Sequence, residues 1–100
     1  MKNDRNRELL IRVSNFFKVL SDPTRLSILL LIKDKELAVG TIADLLGLEQ
    51  STVSHQLKNL RDCNMVKYRR IGQSILYSQL DDHIYKILDQ ALEHVEEKDT

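Results

Sequence analysis

Apolar residues recur every three to four positions near the start of the chain, the spacing that places side chains on one face of an α-helix. They predict a first helix over about residues 8–20, with the apolar positions Leu9, Val13, Phe16, Phe17 and Leu20. Pro23 then fits the first turn of a second helix, where no backbone donor is required. This second helix extends to about Lys33 and is apolar nearly all round, so a central position is expected. Its predicted buried residues are Leu26, Leu29, Leu30 and Ile32.

Two shorter helices follow, joined by a turn that contains a glycine. The third helix ends at Gly47, in the position of a C-terminal cap. Its predicted apolar face is formed by Ile42, Ala43, Leu45 and Leu46. The fourth helix begins at Gln50 or Ser51 and directs Val53, Leu57 and Leu60 inward. Two short helices with a tight turn between them predict a helix-turn-helix over about residues 39–62.

The remaining sequence predicts a hairpin and one more helix. Residues 65–70 and 74–80 alternate enough to be strands, and residues 71–73 form the turn between them. A last helix over about residues 82–97 carries a wide apolar stripe of Ile84, Ile87, Leu88, Ala91, Leu92 and Val95. The expected fold is mainly α with a small β-hairpin, a winged helix-turn-helix in the order ααααββα. Residues 1–100 form a single domain, with its wing at about 65–80.

The exposed face of the fourth helix has short hydroxyl and amide side chains, which reach base edges or phosphates without steric bulk. The chain has no net charge, but residues 58–70 carry a net charge of plus four, which suits a phosphate backbone. These features predict binding to double-stranded operator DNA. The predicted contact residues are Gln50, Ser51, Thr52, Ser54, His55, Gln56, Lys58, Lys67, Arg69, Arg70 and Gln73. One short helix reads few base pairs, so a homodimer is expected, paired through the first and last helices.

Residues 81–100 carry a net charge of minus five, which suits a cation. Asp81, His83, His94 and Glu97 are candidate metal ligands in this segment. The two histidines are eleven residues apart, so they lie about 16 Å apart along one helix and cannot reach the same ion. Two antiparallel copies of the helix would bring the two ends together, giving two symmetric sites in a dimer. Two nitrogen and two carboxylate ligands suit zinc, or alternatively cobalt, and nickel would require more ligands.

Other functions fit the sequence less well. The polar helix face and the acidic last helix are also compatible with plain solvated surfaces, and a constitutive DNA-binding repressor without metal sensing is the alternative. An enzyme would need a substrate pocket and a nucleophile for which one hundred residues leave little room, so no small-molecule substrate is expected. Cys63 is the only cysteine, so a thiol sensor would depend on it alone. The chain has no membrane span and no secretory signal, which predicts a cytoplasmic protein.

Two segments resemble signatures of the ArsR/SmtB family of metal-responsive repressors, and the similarity extends over essentially the whole chain. Residues 20–29 read LSDPTRLSIL, similar to the second helix of that family, and residues 51–60 read STVSHQLKNL, similar to its recognition helix. The spacing of the four candidate metal ligands is similar to that of the zinc site on the fifth helix of some members. The cysteine pair of members that sense cadmium, lead or arsenic is replaced here by Ala38 and Gly40.

The resemblance implies a repressor whose metal-free dimer occupies an operator and whose zinc-bound dimer releases it, which turns on genes for metal export or storage. A ligating imidazole usually donates its second N–H to a neighbouring acceptor. In this family the acceptor is backbone just after the recognition helix, which corresponds to residues 63–65. The resemblance therefore implies that His94 connects the metal site to that segment.

Overall fold

The computed structural model describes residues 4–99, which form five helices and a three-stranded sheet. The elements are, in order, α1 (Asp4–Leu20), α2 (Pro23–Leu31), β1 (Glu36–Ala38), α3 (Val39–Leu46), α4 (Gln50–Asp62), β2 (Val66–Ile71), β3 (Ser74–Gln79) and α5 (His83–Asp99). The winged helix-turn-helix expected from the sequence is confirmed. None of the described helices combines the length and the apolar character needed to cross a membrane.

Local hydrogen bonds define the junctions between the first four helices. Asp22 is the N-cap of α2, and its carboxylate accepts a hydrogen bond from the backbone N–H of Arg25 at 2.9 Å. Gly47 ends α3 in the left-handed region, at φ 67°, where a side chain would be strained. The N–H of Leu48 then bonds to the carbonyl of Ala43 at 2.9 Å, which closes the helix end. The turn into α4 therefore follows from the sequence as predicted.

The sheet contains one strand that the sequence pattern did not predict. Strand β1 pairs antiparallel with β3, with Glu36 opposite Ser78 and Ala38 opposite Leu76, so β3 lies in the middle of the sheet. The expected order ααααββα was therefore incomplete, because a strand lies between α2 and α3. Three residues are too few to show an alternating pattern, and this strand exists because β3 offers it an edge.

The core lies where α2, α3 and α4 pack together beneath the sheet and the first half of α5. Fully buried side chains include Ile28, Leu29, Ile32, Ile42, Leu57 and Leu60. Two predicted core positions are wrong, since Leu30 and Leu45 are 41% and 63% exposed. Each lies on a short helix that packs on one side, so an apolar residue on its other side stays outside the core.

Helix α1 and the second half of α5 keep most of their apolar side chains outside this core. Leu9, Val13 and Phe17 of α1 are between 42% and 55% exposed. Leu92 and Val95 of α5 are 45% and 57% exposed, whereas Ile84 and Leu88 in its first half are buried. One chain therefore leaves two helices with apolar faces that nothing in its described part covers.

Candidate DNA-binding face and metal-ligating residues

Helix α4 presents the predicted reading face to solvent and fixes its orientation through its opposite side. Val53, Leu57 and Leu60 are completely buried, as the sequence predicted. Of the predicted contact residues on α4, Gln56 is partly buried, and the exposed ones are Gln50, Ser51, Thr52, Ser54, His55 and Lys58. Three buried anchors along one side prevent rotation of the helix, so these polar side chains form a surface of fixed orientation.

Two contacts constrain side chains of the reading face. The Nη1 of Arg25, in the first turn of α2, donates a hydrogen bond to Oε1 of Gln56 at 3.1 Å. At the start of α4, the side chain of Gln50 lies beside Gly40, where an added Cβ would come within 3.3 Å of its Nε2. Sequence patterns could not reveal either contact, because both join residues of different helices.

The wing carries the predicted basic residues, but one of them is already paired. Arg69 donates from Nε and Nη2 to the two carboxylate oxygens of Glu36, each at 2.6 Å. This hydrogen bond is the main cause of the lowered pKa of Glu36, and it also raises the pKa of Arg69. The acidic partner lies on β1, the strand absent from the sequence prediction. Arg69 therefore reaches DNA only in competition with Glu36.

The other wing residues remain accessible. Lys67 and Arg70 are exposed, and within residues 4–99 no hydrogen bond or ion pair shorter than 4.0 Å involves the guanidinium of Arg70. Gln73 is exposed in the turn between β2 and β3, next to Gly72 with its φ of 60°. A positive φ is the usual geometry of a tight hairpin turn, so Gln73 lies at the tip of the wing.

Asp81 and His83 form a pair at the start of α5. One oxygen of Asp81 accepts a hydrogen bond from the backbone N–H of His83 at 3.0 Å, which satisfies a free donor at the helix N-terminus. The other oxygen lies 3.3 Å from Nδ1 of His83. The imidazole is 82% exposed. Two of the four predicted ligands are therefore adjacent and face solvent.

The other two predicted ligands lie near the opposite end of α5. His94 and Glu97 are exposed, about three turns beyond His83. Within the part of one chain that the structure describes, no three histidine, cysteine, aspartate or glutamate side chains come together as a metal-binding group. One chain thus keeps the predicted ligands in two pairs, as the length of the helix requires.

The first half of α5 is attached to α2 by a contact that the sequence pattern did not predict. The buried hydroxyl of Tyr85 donates a hydrogen bond to the carbonyl of Leu29 at 2.7 Å. Lys33 lies 5.9 Å from the centre of the Tyr85 ring and 3.7 Å from the carboxylate of Asp89. A tyrosine within an otherwise aliphatic helix stripe was the available signal, since a buried phenol requires a hydrogen-bond acceptor. The start of α5 is therefore attached to α2 by a buried hydrogen bond.

A groove of about 780 Å³ runs between α1, the end of α4 and α5. Its walls include Leu9, Val13 and Phe17 of α1, together with Cys63 and Ile87. The wall is mostly apolar and continues the exposed faces of α1 and α5. Such a surface on a small domain is typical of a place where another protein packs.

Comparison with known protein families and sequences gives a consistent result. The model of the bacterial regulatory protein arsR family matches residues 22–68. The transcriptional repressor SmtB homolog of Synechocystis sp. is 36% identical over 88% of this chain and 67% of its own length. The transcriptional regulator NmtR of Mycobacterium tuberculosis is 41% identical, with 85% and 71% covered. The cadmium resistance regulatory protein CadC homolog of Staphylococcus aureus is 32% identical, with 96% and 80% covered.

Solved structures agree with these sequence relatives. NolR from Sinorhizobium fredii superposes with a TM-score of 0.83 at 36% identity, over 95% of this chain and 94% of NolR. The homodimeric winged helix-turn-helix DNA-binding domain of Mb0332 from Mycobacterium bovis gives a TM-score of 0.86 at 29% identity, with 97% and 90% covered. The chain therefore belongs to the ArsR family of bacterial regulatory proteins and has the winged helix-turn-helix fold of its DNA-binding transcriptional regulators.

Proposed function

We propose that this protein is a homodimeric metal-sensing repressor. Its metal-free dimer occupies operator DNA through α4 and the wing, and its zinc-loaded or cobalt-loaded dimer leaves the operator, which turns on metal efflux or storage genes. It acts in the cytoplasm and by binding alone, without catalysis. The alternative is a constitutive repressor of the same fold that senses no metal.

The DNA-binding part of the proposal rests on α4 and the wing. The face of α4 combines exposed hydroxyl, amide and imidazole groups, and its orientation is held by three buried residues. Lys67 and Arg70 add positive charge on the neighbouring wing, where they would neutralise backbone phosphates. The face would supply base contacts and the wing would supply affinity.

The dimer part rests on the apolar surface that one chain leaves uncovered. Exposed apolar residues of α1 and Ile87 of α5 border one groove, so a second copy could cover parts of both helices at once. Burying such side chains contributes about 25 cal/mol per Å² of apolar area. The homodimeric state of the Mb0332 domain supports the same assembly here. Two copies would also present the two reading helices that a twofold operator requires.

The metal part is carried by one observation, the Asp81–His83 pair at the start of α5. Its carboxylate and imidazole are 3.3 Å apart and solvent-facing, and the helix N-terminus fixes the carboxylate through its 3.0 Å hydrogen bond. These two residues would hold the ion together with His94 and Glu97 of the partner subunit. Carboxylate oxygens and imidazole nitrogens are suitable zinc or cobalt ligands, so the donor set fits. The ion would supply a cross-link between the two α5 helices.

The attachment of α5 to the core explains how such a cross-link would reach the DNA. Because Tyr85 fastens the first half of α5 to α2, a change in the angle between two α5 helices turns each domain as a unit. His94 would also connect to the segment of residues 63–65, directly after α4. Both connections alter the relative position of the two reading helices. A coupling of about 1–3 kcal/mol would weaken DNA binding about 5- to 150-fold.

A titration of operator DNA with the purified protein, with and without zinc, tests the proposal. Zinc is expected to weaken binding of the unmodified protein and to leave the His83→Ala, His94→Ala double variant unaffected. A matched control is His55→Ala, which removes a histidine from the reading face. It should weaken DNA binding while preserving zinc stoichiometry. DNA binding by the unmodified protein that does not respond to zinc would favour the constitutive repressor.

A further inference from the structure

The guanidinium of Arg25, on α2, is held by hydrogen bonds to α1 and α4 beside the reading face. Its Nε donates a hydrogen bond to the carbonyl of Val19 at 2.6 Å, and Nη2 lies 3.5 Å from the carbonyl of Lys18. Both carbonyls belong to the last turn of α1, and that of Lys18 also accepts hydrogen bonds from the backbone N–H and the hydroxyl of Ser21. The remaining arm, Nη1, reaches Gln56 on α4 at 3.1 Å. Hydrogen bonds within the protein therefore hold the Arg25 side chain in place without DNA.

This contact fixes which way the amide of Gln56 points. Arginine has only hydrogen-bond donors, so the amide must turn its oxygen toward Arg25 and its NH₂ group away from it. A free glutamine donates and accepts, and it can pair with both N6 and N7 of adenine. The contact with Arg25 holds the oxygen of Gln56 on the Arg25 side, and the two N–H donors of the amide are directed away from it. Gln56 is partly buried, next to exposed His55 and one turn after exposed Thr52.

We propose that Arg25 orients Gln56 so that its NH₂ group, and not its oxygen, faces the DNA, which selects guanine over adenine at one position of each operator half-site. Guanine offers two acceptors in the major groove, O6 and N7, whereas adenine offers N7 beside the N6 amino donor. The NH₂ of Gln56 satisfies both guanine acceptors but leaves the adenine amino group without a partner. Arg25 is a positioning residue here, since it acts on the base pair through Gln56. The inference rests on the proposed binding of DNA by α4.

Selection of bound sequences from a randomised pool of DNA duplexes tests this inference. The unmodified protein should enrich a motif with guanine at the Gln56 position, and replacing that guanine by adenine should weaken binding about 5- to 100-fold. Gln56→Met removes both donors, so that position should lose its preference while the rest of the motif remains. In Arg25→Met the amide is free to turn, and the preference should move to adenine at that position alone.

Two further variants separate specificity from folding. Gln56→Glu keeps the contact with Arg25 but offers DNA an acceptor, so the preferred base should become cytosine, which donates from N4. Lys58→Met, on the same helix, should lower affinity for all sequences without changing the motif. The inference is overturned if the motif of the unmodified protein has adenine at this position. It is also overturned if neither Gln56→Met nor Gln56→Glu changes the base preference at any position of the motif. In both cases the proposed binding of DNA stands. If the unmodified protein enriches no sequence at all, the inference and the operator-binding part of the proposed function are both overturned.

Discussion

The bidentate pair between Arg69 and Glu36 predicts unequal roles for the two arginines of the wing. Both nitrogens of the Arg69 fork donate to Glu36 at 2.6 Å, whereas no ion partner lies within 4.0 Å of Arg70 in the described part of the chain. A phosphate can engage Arg69 only if it displaces or shares the carboxylate of Glu36. We therefore expect Arg70 to act as a full phosphate contact and Arg69 to contribute much less.

The magnitude follows from the release of counterions on DNA binding. Each phosphate neutralised by the protein changes the slope of log affinity against log salt by about 0.9. Arg70→Ala should therefore reduce the slope by about 0.9, which corresponds to about a 3.5-fold smaller loss of affinity between 50 and 200 mM salt. Arg69→Ala should reduce it by clearly less. Glu36→Gln, which frees Arg69 and removes a negative charge, should increase the slope and tighten binding.

Fluorescence anisotropy with a labelled duplex of arbitrary sequence measures these slopes, because the phosphate contribution does not depend on sequence. The double variant Glu36→Gln, Arg69→Ala is the matched control and should lose the gain produced by Glu36→Gln alone. Circular dichroism and thermal unfolding verify that each variant remains folded. Equal slope reductions by Arg69→Ala and Arg70→Ala, together with no effect of Glu36→Gln, would refute the reasoning.

Three other predictions concern stability, assembly and metal binding. Burial, and secondarily the charge of Asp34, raises the pKa of Tyr85 from 10.0 to about 12. The protonated Tyr85 hydroxyl should therefore stabilise the folded state fully below pH 10, and this contribution should be lost as the pH rises through about 12. Tyr85→Phe should abolish this pH dependence and cost about 1–2 kcal/mol at neutral pH in urea unfolding, and an unchanged urea midpoint would contradict it. Phe17→Glu should convert the dimer to a monomer in sedimentation, whereas Ser14→Glu on the same helix should not. If the Phe17→Glu variant is still a dimer, α1 is not part of the interface. Asp81→Asn retains a cap for α5 but loses the charge of the ligand, so calorimetry should show weakened zinc binding with unchanged thermal stability. Asp81→Ala should lower both zinc affinity and thermal stability. Full zinc affinity in Asp81→Asn would exclude this carboxylate as a ligand.

The family resemblance and most of the fold could be predicted from the sequence, because the signals are local. Helical spacing of apolar residues, Pro23 after Asp22, and Gly47 at a helix end define elements within a few residues of themselves. The hairpin around Gly72 was predicted for the same reason. The spacing of His83 and His94 also required that any shared metal site span two chains, since the rise of a helix separates them.

The tertiary structure alone decided which polar groups are already engaged and which apolar groups lie outside the core. Strand β1 is too short to have a pattern of its own, and it supplies Glu36 as the partner of Arg69. The contact of Arg25 with Gln56 joins residues 31 positions apart and engages the amide oxygen of a predicted DNA-contact residue. Whether Leu30 is buried depended on which side of α2 faces the core. Local sequence determines helices, caps and turns through short-range geometry, whereas these pairings depend on how separate elements pack, which no single segment encodes.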